Sequence, residues 1–198
     1  MFTGLIQALG TLVEINQTAN GHVLSIQTPD DFLSTSQVGD SICVQGTCLT
    51  ATKIDGNLFA MDASKETLAC TTLGEKKAGQ QVNLELALTL STPLGGHLVT
   101  GHVDGVGEVQ TIKDEGEYVK ITFLSPVEIA KYIARKGSIC IDGVSLTVNH
   151  VDGQEFDVMI IPHTQKNTTI AEYQKNTKVN LEVDMVARYV ERLHNYSN

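Results

Sequence analysis

The sequence predicts an all-β protein built as two tandem, homologous, six-stranded Greek-key β-barrels with a C-terminal α-helix. Three observations carry that expectation. The chain repeats itself at a constant offset, each copy reads as short apolar runs divided by turn residues, and the copying stops before an amphipathic tail.

Repeats are read first, because a missed repeat misassigns the fold. SICVQGTCLT (41–50) lies over SICIDGVSLT (138–147), so that Ser41, Ile42, Cys43, Gly46, Leu49 and Thr50 recur 97 residues later. The same offset carries Asp55-Gly56 to Asp152-Gly153, Phe59 to Phe156, Thr67 to Thr164, Thr71-Thr72 to Thr168-Thr169 and VNLE (82–85) to VNLE (179–182). Gly4 meets Gly101 and Gly10 meets Gly107, and no gap is needed anywhere. Duplication explains this and chance does not.

Within each copy the elements read as strands. Segments 41–45, 57–62 and 82–90 alternate or run apolar between Gly, Asp and Asn. IDGN (54–57) and VDGQ (151–154) set Asp-Gly between apolar runs, a strong hairpin signal. Ser125-Pro126-Val127-Glu128 reads as a capping box with Pro at the first helical position, and Thr28-Pro29-Asp30-Asp31 is its twin, so a short helix is expected across each barrel. The expected units are 1–97, 98–185 and a helical tail, 186–198. In MVARYVERLHN (185–195), Val186, Val190 and Leu193 share a helix face with Met185 and Tyr189 beside them. That face either packs on its own barrel or joins subunits.

Composition narrows the partners. A formal charge of −9 and pI near 5.0 argue against nucleic acid and acidic membranes, which call for a basic face. MFTGLIQALG lacks the basic and long apolar regions of a signal peptide, and no apolar run approaches a membrane span. Cys43, Cys48, Cys70 and Cys140 show neither CxxC spacing nor disulfide-scaffold density, so a reduced, cytoplasmic setting is expected. Zinc-finger spacing is missing too, and no dinucleotide, P-loop, nucleophile-elbow or zincin motif appears.

A duplicated binding unit predicts two related pockets, with chemistry where the copies differ. Cys48 stands opposite Ser145, and His102 opposite Leu5. Both breaks lie beside shared residues, Thr50 with Thr147 and Gly4 with Gly101. A buried cysteine is also a small hydrophobe. Cys43 and Cys140, the same in both copies, read that way, and for Cys48 that reading stands beside the functional one. His97, His150 and His163 read as surface or turn residues. His102 lies in GGHLVTGHVDG, a glycine-dense stretch that suits close approach of a ligand or simply a barrel corner.

MFTGLI, GTCLT after SICVQ, KETL with TTLG, GGHLVTGHVDGVG, KGSICIDGVSLTV, IPHT and VNLEVD with ARYVERL together resemble the riboflavin synthase family, from Met1 to about Leu193. The resemblance implies a transferase that uses two molecules of 6,7-dimethyl-8-ribityllumazine, one giving a four-carbon unit to the other. The products are riboflavin and 5-amino-6-ribitylamino-pyrimidinedione. It implies no cofactor and no metal, a homotrimer with active sites between subunits, and, for some relatives, association with lumazine synthase. The residues that match the family's functional positions are Cys48, His102, Ser41 and Asp184. Cys48 would act at the electrophilic carbon of the lumazine, and His102 would move protons of its 7-methyl group. The binding set follows from the repeat. In the first copy it is Gly4, Leu5, Ile6, Leu49, Thr50, Asp62, Ala63, Ser64, Lys65, Glu66 and Thr67. In the second it is Gly101, Val103, Lys136, Ser145, Leu146, Thr147, Met159, Ile160, Ile161, Pro162, His163 and Thr164. Thr47 and Thr100 depart from the family's usual pattern without removing a functional group. Two other classes stay in view. One is a non-catalytic lumazine- or flavin-binding antenna protein of the same fold, which would bind without turnover. The other is a ligand-free scaffold, which would not bind at all.

Overall fold

The structure, a computed structural model, describes residues 1–196, so positions 197 and 198 of the expected tail lie outside the described residues. Strands β1 (Ala8–Thr18), β2 (Gly21–Gln27), β3 (Ser41–Val44), β4 (Thr47–Asp55), β5 (Leu58–Ser64) and β6 (Gln81–Leu86) close into a barrel in the order β1-β2-β5-β4-β3-β6. Strands β7 (Gly105–Glu115), β8 (Tyr118–Leu124), β9 (Ser138–Ile141), β10 (Val144–Asp152), β11 (Glu155–Ile160) and β12 (Lys178–Val183) close a second barrel in the matching order. All pairings are antiparallel, and closure leaves no long free edge. Even the irregularities are duplicated. Register shifts at Leu12/Glu14 and Ala51/Lys53 return at Val109/Thr111 and Val148/His150.

Alternation along the strands fills each interior. Leu12, Leu24, Ile26, Phe59, Met61 and Leu84 are buried in the first barrel. Val109, Ile121, Phe123, Phe156, Val158 and Leu181 are buried in the second, where Phe123 and Phe156 stack at 5.5 Å. Each such side chain contributes roughly 1.5–3 kcal/mol by leaving water.

The hairpins at 54–57 and 151–154 form as expected, though the loop residues are Gly56-Asn57 and Gly153-Gln154, one step later than Asp-Gly. The expected helix forms in only one copy. The four short or terminal helices are α1 (Lys65–Cys70), α2 (Val127–Ala130), α3 (Pro162–Asn167) and α4 (Met185–Tyr196). Residues after Pro29 form turns where α2 has its twin. Neither Ser125 nor Thr28 caps a helix. Both hydroxyls donate to a hairpin carbonyl, Gln154 O at 3.1 Å and Asn57 O at 3.0 Å, so strand closure claimed the group that the capping pattern advertised. Sequence reading had no signal strong enough for α1 and α3. They are held by Ser64, whose Oγ accepts from Thr67 N at 3.1 Å, and by Pro162 at the first turn.

The barrels meet through two hairpin tips, Gln45-Gly46 and Asp142-Gly143, both with positive φ. A Cβ on Gly46 would sit 2.7 Å from Gly143 N, so the tips touch backbone to backbone. Around them runs a crossed polar network. Asn83 Nδ2 donates to Asp142 O at 2.8 Å, and Asn180 Nδ2 donates to Gln45 O at 2.7 Å. Thr169 N donates to Asn83 Oδ1 and Thr72 N to Asn180 Oδ1, each at 2.8 Å. Satisfied networks of this kind fix one docking geometry where an apolar seam would slide.

Candidate functional site

Two loops ahead of the barrels decide the site, and they cross. Phe2 and Val99 exchange backbone hydrogen bonds, at 2.8 and 3.1 Å, which ties the two entry segments together. Beyond this bridge the loop of the first copy runs to the second barrel, where Gly4 O accepts from Ser145 N at 2.7 Å. The loop of the second copy runs to the first barrel, where Gly101 O accepts from Cys48 N at 2.9 Å. Both glycines have φ near +76°, and a Cβ on either would lie 2.6 Å from the Cβ of Ser145 or Cys48. No other residue fits there. Ile6 follows its loop across and packs against the second barrel's core.

Each candidate site is therefore made by both copies. In the first, Cys48 is half-buried on β4, beside Thr50 and across the β3–β4 pair from Ser41, which opposes Thr50. His102, next to Gly101, is exposed. Its N–H donates to Thr100 Oγ1 at 3.3 Å and its carbonyl accepts from Arg188 Nη2 at 2.9 Å. So thiol and imidazole are brought to adjacent backbone from opposite barrels. Cys43 and Cys140 sit behind them with Phe2 and Val99 in a dry cluster, and burial pushes both thiols up, which keeps them neutral.

The second pocket holds a residue that sequence reading undervalued. His97 is buried, and its Nδ1 lies 2.7 Å from Ser145 Oγ. Burial pulls its pKa below the usual histidine value, opposed by the nearby Asp184 carboxylate, so the ring is neutral at pH 7. Among the described residues its Nε2 has no hydrogen-bond partner. The repeat could not flag His97, because the offset carries it to residue 194, in the tail beyond the second copy. Asp184 faces this group and also caps α4, its Oδ1 accepting from Val186 N at 3.0 Å.

The remaining expected residues divide. Asp62 and Ser64 line a cleft of about 330 Å³ with Asn20 and His22, and Ser41 lines another of about 330 Å³ with Met1 and Leu86. Lys65, Glu66 and Thr67 lie on α1, and Pro162, His163 and Thr164 on α3, its counterpart. Thr147 is exposed, Met159 and Leu146 are half-buried, and Ile161 is exposed at the head of α3. Val103 is half-buried after His102. Leu49, Ala63 and Ile160 point into barrel cores, so only their backbone can face a ligand. Lys136 occupies a left-handed corner where the first copy has Gly39, and its Nζ reaches Asn149 Oδ1 at 3.5 Å.

The family comparisons match this architecture. The lumazine binding domain model fits residues 3–87 and again 100–184. Riboflavin synthase of Photobacterium phosphoreum is 45% identical over 193 residues, 98% of this chain and 88% of that protein. Riboflavin synthase of Schizosaccharomyces pombe is 43% identical over 196 residues, 98% of this chain and 93% of that protein. The chain belongs to the riboflavin synthase family. This is a family of transferase enzymes. Among solved structures, LumP complexed with 6,7-dimethyl-8-(1'-D-ribityl)lumazine superposes with a TM-score of 0.84 at 26% identity, covering 92% of this chain and 99% of that one. LumP complexed with riboflavin superposes at 0.86. Among the described residues, no helix is long and apolar enough to cross a membrane.

Proposed function

We propose that this chain is itself a riboflavin synthase. It joins two molecules of 6,7-dimethyl-8-ribityllumazine, moves a four-carbon unit from one to the other, and releases riboflavin and 5-amino-6-ribitylamino-pyrimidinedione. The observation that carries the reading is the placement of Cys48 against Gly101-His102, set beside an otherwise equivalent Ser145–Gly4-Leu5. Two identical molecules can play different parts only where their pockets differ. Cys48 is assigned to the lumazine's electrophilic carbon and His102 to the protons of the 7-methyl group. Ser41 and Asp184 are assigned to placing the nucleophile and the adduct, with His97 and Ser145 serving the second molecule.

Stacking the two heterocycles face to face removes translational and rotational freedom before reaction, which supplies roughly 7–11 kcal/mol of the barrier. One pocket of each kind must then face the other. We assign that meeting to neighbouring subunits of a cytoplasmic homotrimer, assembled through α4. In support, the apolar face of α4 is open, with Val186, Tyr189, Val190 and Leu193 each more than half exposed. The other side of α4 is tied to its own chain. Arg188 donates to Asp104 through Nε at 3.0 Å and Nη2 at 2.7 Å, and Glu191 accepts from Lys131 and Tyr132. Docking with lumazine synthase belongs to the same reading and is tested by co-sedimentation of the two proteins.

The antenna reading draws on the fit to LumP. Incubation with the lumazine separates the two. Riboflavin formed from two lumazines supports the synthase; a bound, fluorescent lumazine that never yields riboflavin overturns it.

A further inference from the structure

Two buried carboxylates in this molecule have no assigned task. Glu85 on β6 and Glu182 on β12 are 1% and 2% exposed. Each is held by hydrogen bonds from one short loop. Glu182 Oε1 accepts from Thr100 N and Thr100 Oγ1, both at 2.7 Å, and its Oε2 accepts from Gly101 N at 2.8 Å. Glu85 repeats this on Thr3 N at 2.6 Å, Thr3 Oγ1 at 2.7 Å and Gly4 N at 3.0 Å. Burial raises the Glu85 carboxyl, while the Thr3 hydroxyl and the Thr3 and Gly4 amides pull it back toward the charged form.

What the two carboxylates hold is the pair of crossing loops. Glu182 belongs to the second barrel, yet Gly101, the residue it grips, presses on β4 of the first and accepts from Cys48 N. The same grip orients Thr100 Oγ1, which accepts from His102 N. Glu85 belongs to the first barrel, and its Gly4 accepts from Ser145 N in the second. The duplicated sequence assigns each glutamate to its own copy. The tertiary structure sends its effect to the other.

We propose that Glu182 is a positioning residue for Cys48 and His102, and Glu85 for Ser145, each setting the pocket of the opposite barrel through its glycine loop. A glutamine at either site keeps the shape but has one acceptor oxygen. With that oxygen on the threonine, its NH2 meets the glycine N–H donor to donor, so the glycine arm opens. The proposal rests on the functional reading only in making the Cys48 pocket catalytic, and thiol chemistry tests it separately.

The test uses the full chain in a Cys70→Ser background, which removes the exposed thiol. Iodoacetamide labelling of Cys48 is followed by peptide mass mapping across neutral to mildly alkaline pH. Glu182→Gln is expected to raise the Cys48 labelling rate about fivefold, as loss of one hydrogen bond of about 1 kcal/mol would, and to alter its pH profile beside His102. Glu85→Gln is expected to leave that rate within about twofold, since its loop meets Ser145 instead. Equal acceleration by both variants, a larger one in Glu85→Gln, or no change in Glu182→Gln overturns the proposal. If either glutamine variant labels at Cys43 or Cys140, its fold has opened, and the pair Thr100→Val and Thr3→Val decides by the same criterion, each removing the hydroxyl arm together with the acceptor it offers to the N–H two residues on. With lumazine, Glu182→Gln should lower kcat more than it raises KM. A wild-type chain without riboflavin output removes the synthase reading and leaves the labelling result standing.

Discussion

The Cys48 pocket and the Ser145 pocket are the same backbone made twice and finished differently. In each, a left-handed glycine from the opposite copy accepts a hydrogen bond from β4 or β10, and a buried glutamate holds that glycine's loop. On this shared frame the first pocket has a half-buried thiol with an exposed imidazole, and the second a hydroxyl against a buried, neutral imidazole. The difference is what the proposed reaction of two identical molecules calls for. Backbone geometry is shared, and the side chains at two or three positions differ.

Making the pockets alike tests this most severely. Cys48→Ser, which gives the first pocket the second's hydroxyl, should lower riboflavin formation roughly a thousandfold, about 4 kcal/mol of transition-state stabilisation. Lumazine binding by fluorescence titration should change little, and unchanged turnover would take Cys48 out of the mechanism. His102→Leu, which copies Leu5, should cost about a hundredfold in kcat through lost proton transfer, read in steady-state assays against KM.

The next prediction concerns the seam, where the copies differ by charge. Gln45 in one tip faces Asp142 in the other, and both are buried. Burial raises Asp142 from 3.8 to about 6, opposed by hydrogen bonds from Tyr173 and the Asn180 amide. A folded-state value above the unfolded one means that stability is fully present below about 3.8 and is lost as pH rises through about 6. Asp142→Asn should therefore flatten the pH dependence of chemical denaturation in that window and remove a penalty of roughly 3 kcal/mol at neutral pH. A wild-type curve already flat there would place the charge elsewhere. The smallest expected effect is on assembly. Val190→Glu on the open face of α4 should shift sedimentation toward the monomer while leaving the thermal midpoint nearly unchanged, since that residue is 60% exposed.

Much of this was readable in advance, for definite reasons. The constant offset is matched in space, since the duplicated register in β1–β6 and β7–β12 mirrors the duplicated letters. Hairpins at Gly56 and Gly153 announce themselves because turn chemistry is local. The helix expected after Thr28 is absent although Thr28 and Ser125 make the same hydroxyl bond to a hairpin carbonyl, each 29 residues away. The copies part at Asp31, which takes a left-handed φ of 68° where its counterpart Glu128 lies inside α2. His97 was passed over because its importance lies in a contact with Ser145 across 48 residues. The open face of α4 was legible as apolar, but whether its own barrel covers it is a matter of where Arg188 and Glu191 anchor the other side.

The sequence by itself determined that there are two barrels, where some of their strands and hairpins lie, and which residues at the candidate sites break the repeat. Only the tertiary structure decided that Thr3-Gly4-Leu5 and Thr100-Gly101-His102 exchange barrels, so that Cys48 bonds the glycine next to the second copy's His102. Periodicity and turn residues specify local backbone, whereas the choice between a barrel and its duplicate is made by long-range hydrogen bonds. Here those bonds come from Glu85, Glu182 and the crossed asparagines of the seam, whose identical letters in both copies say nothing about which copy they serve.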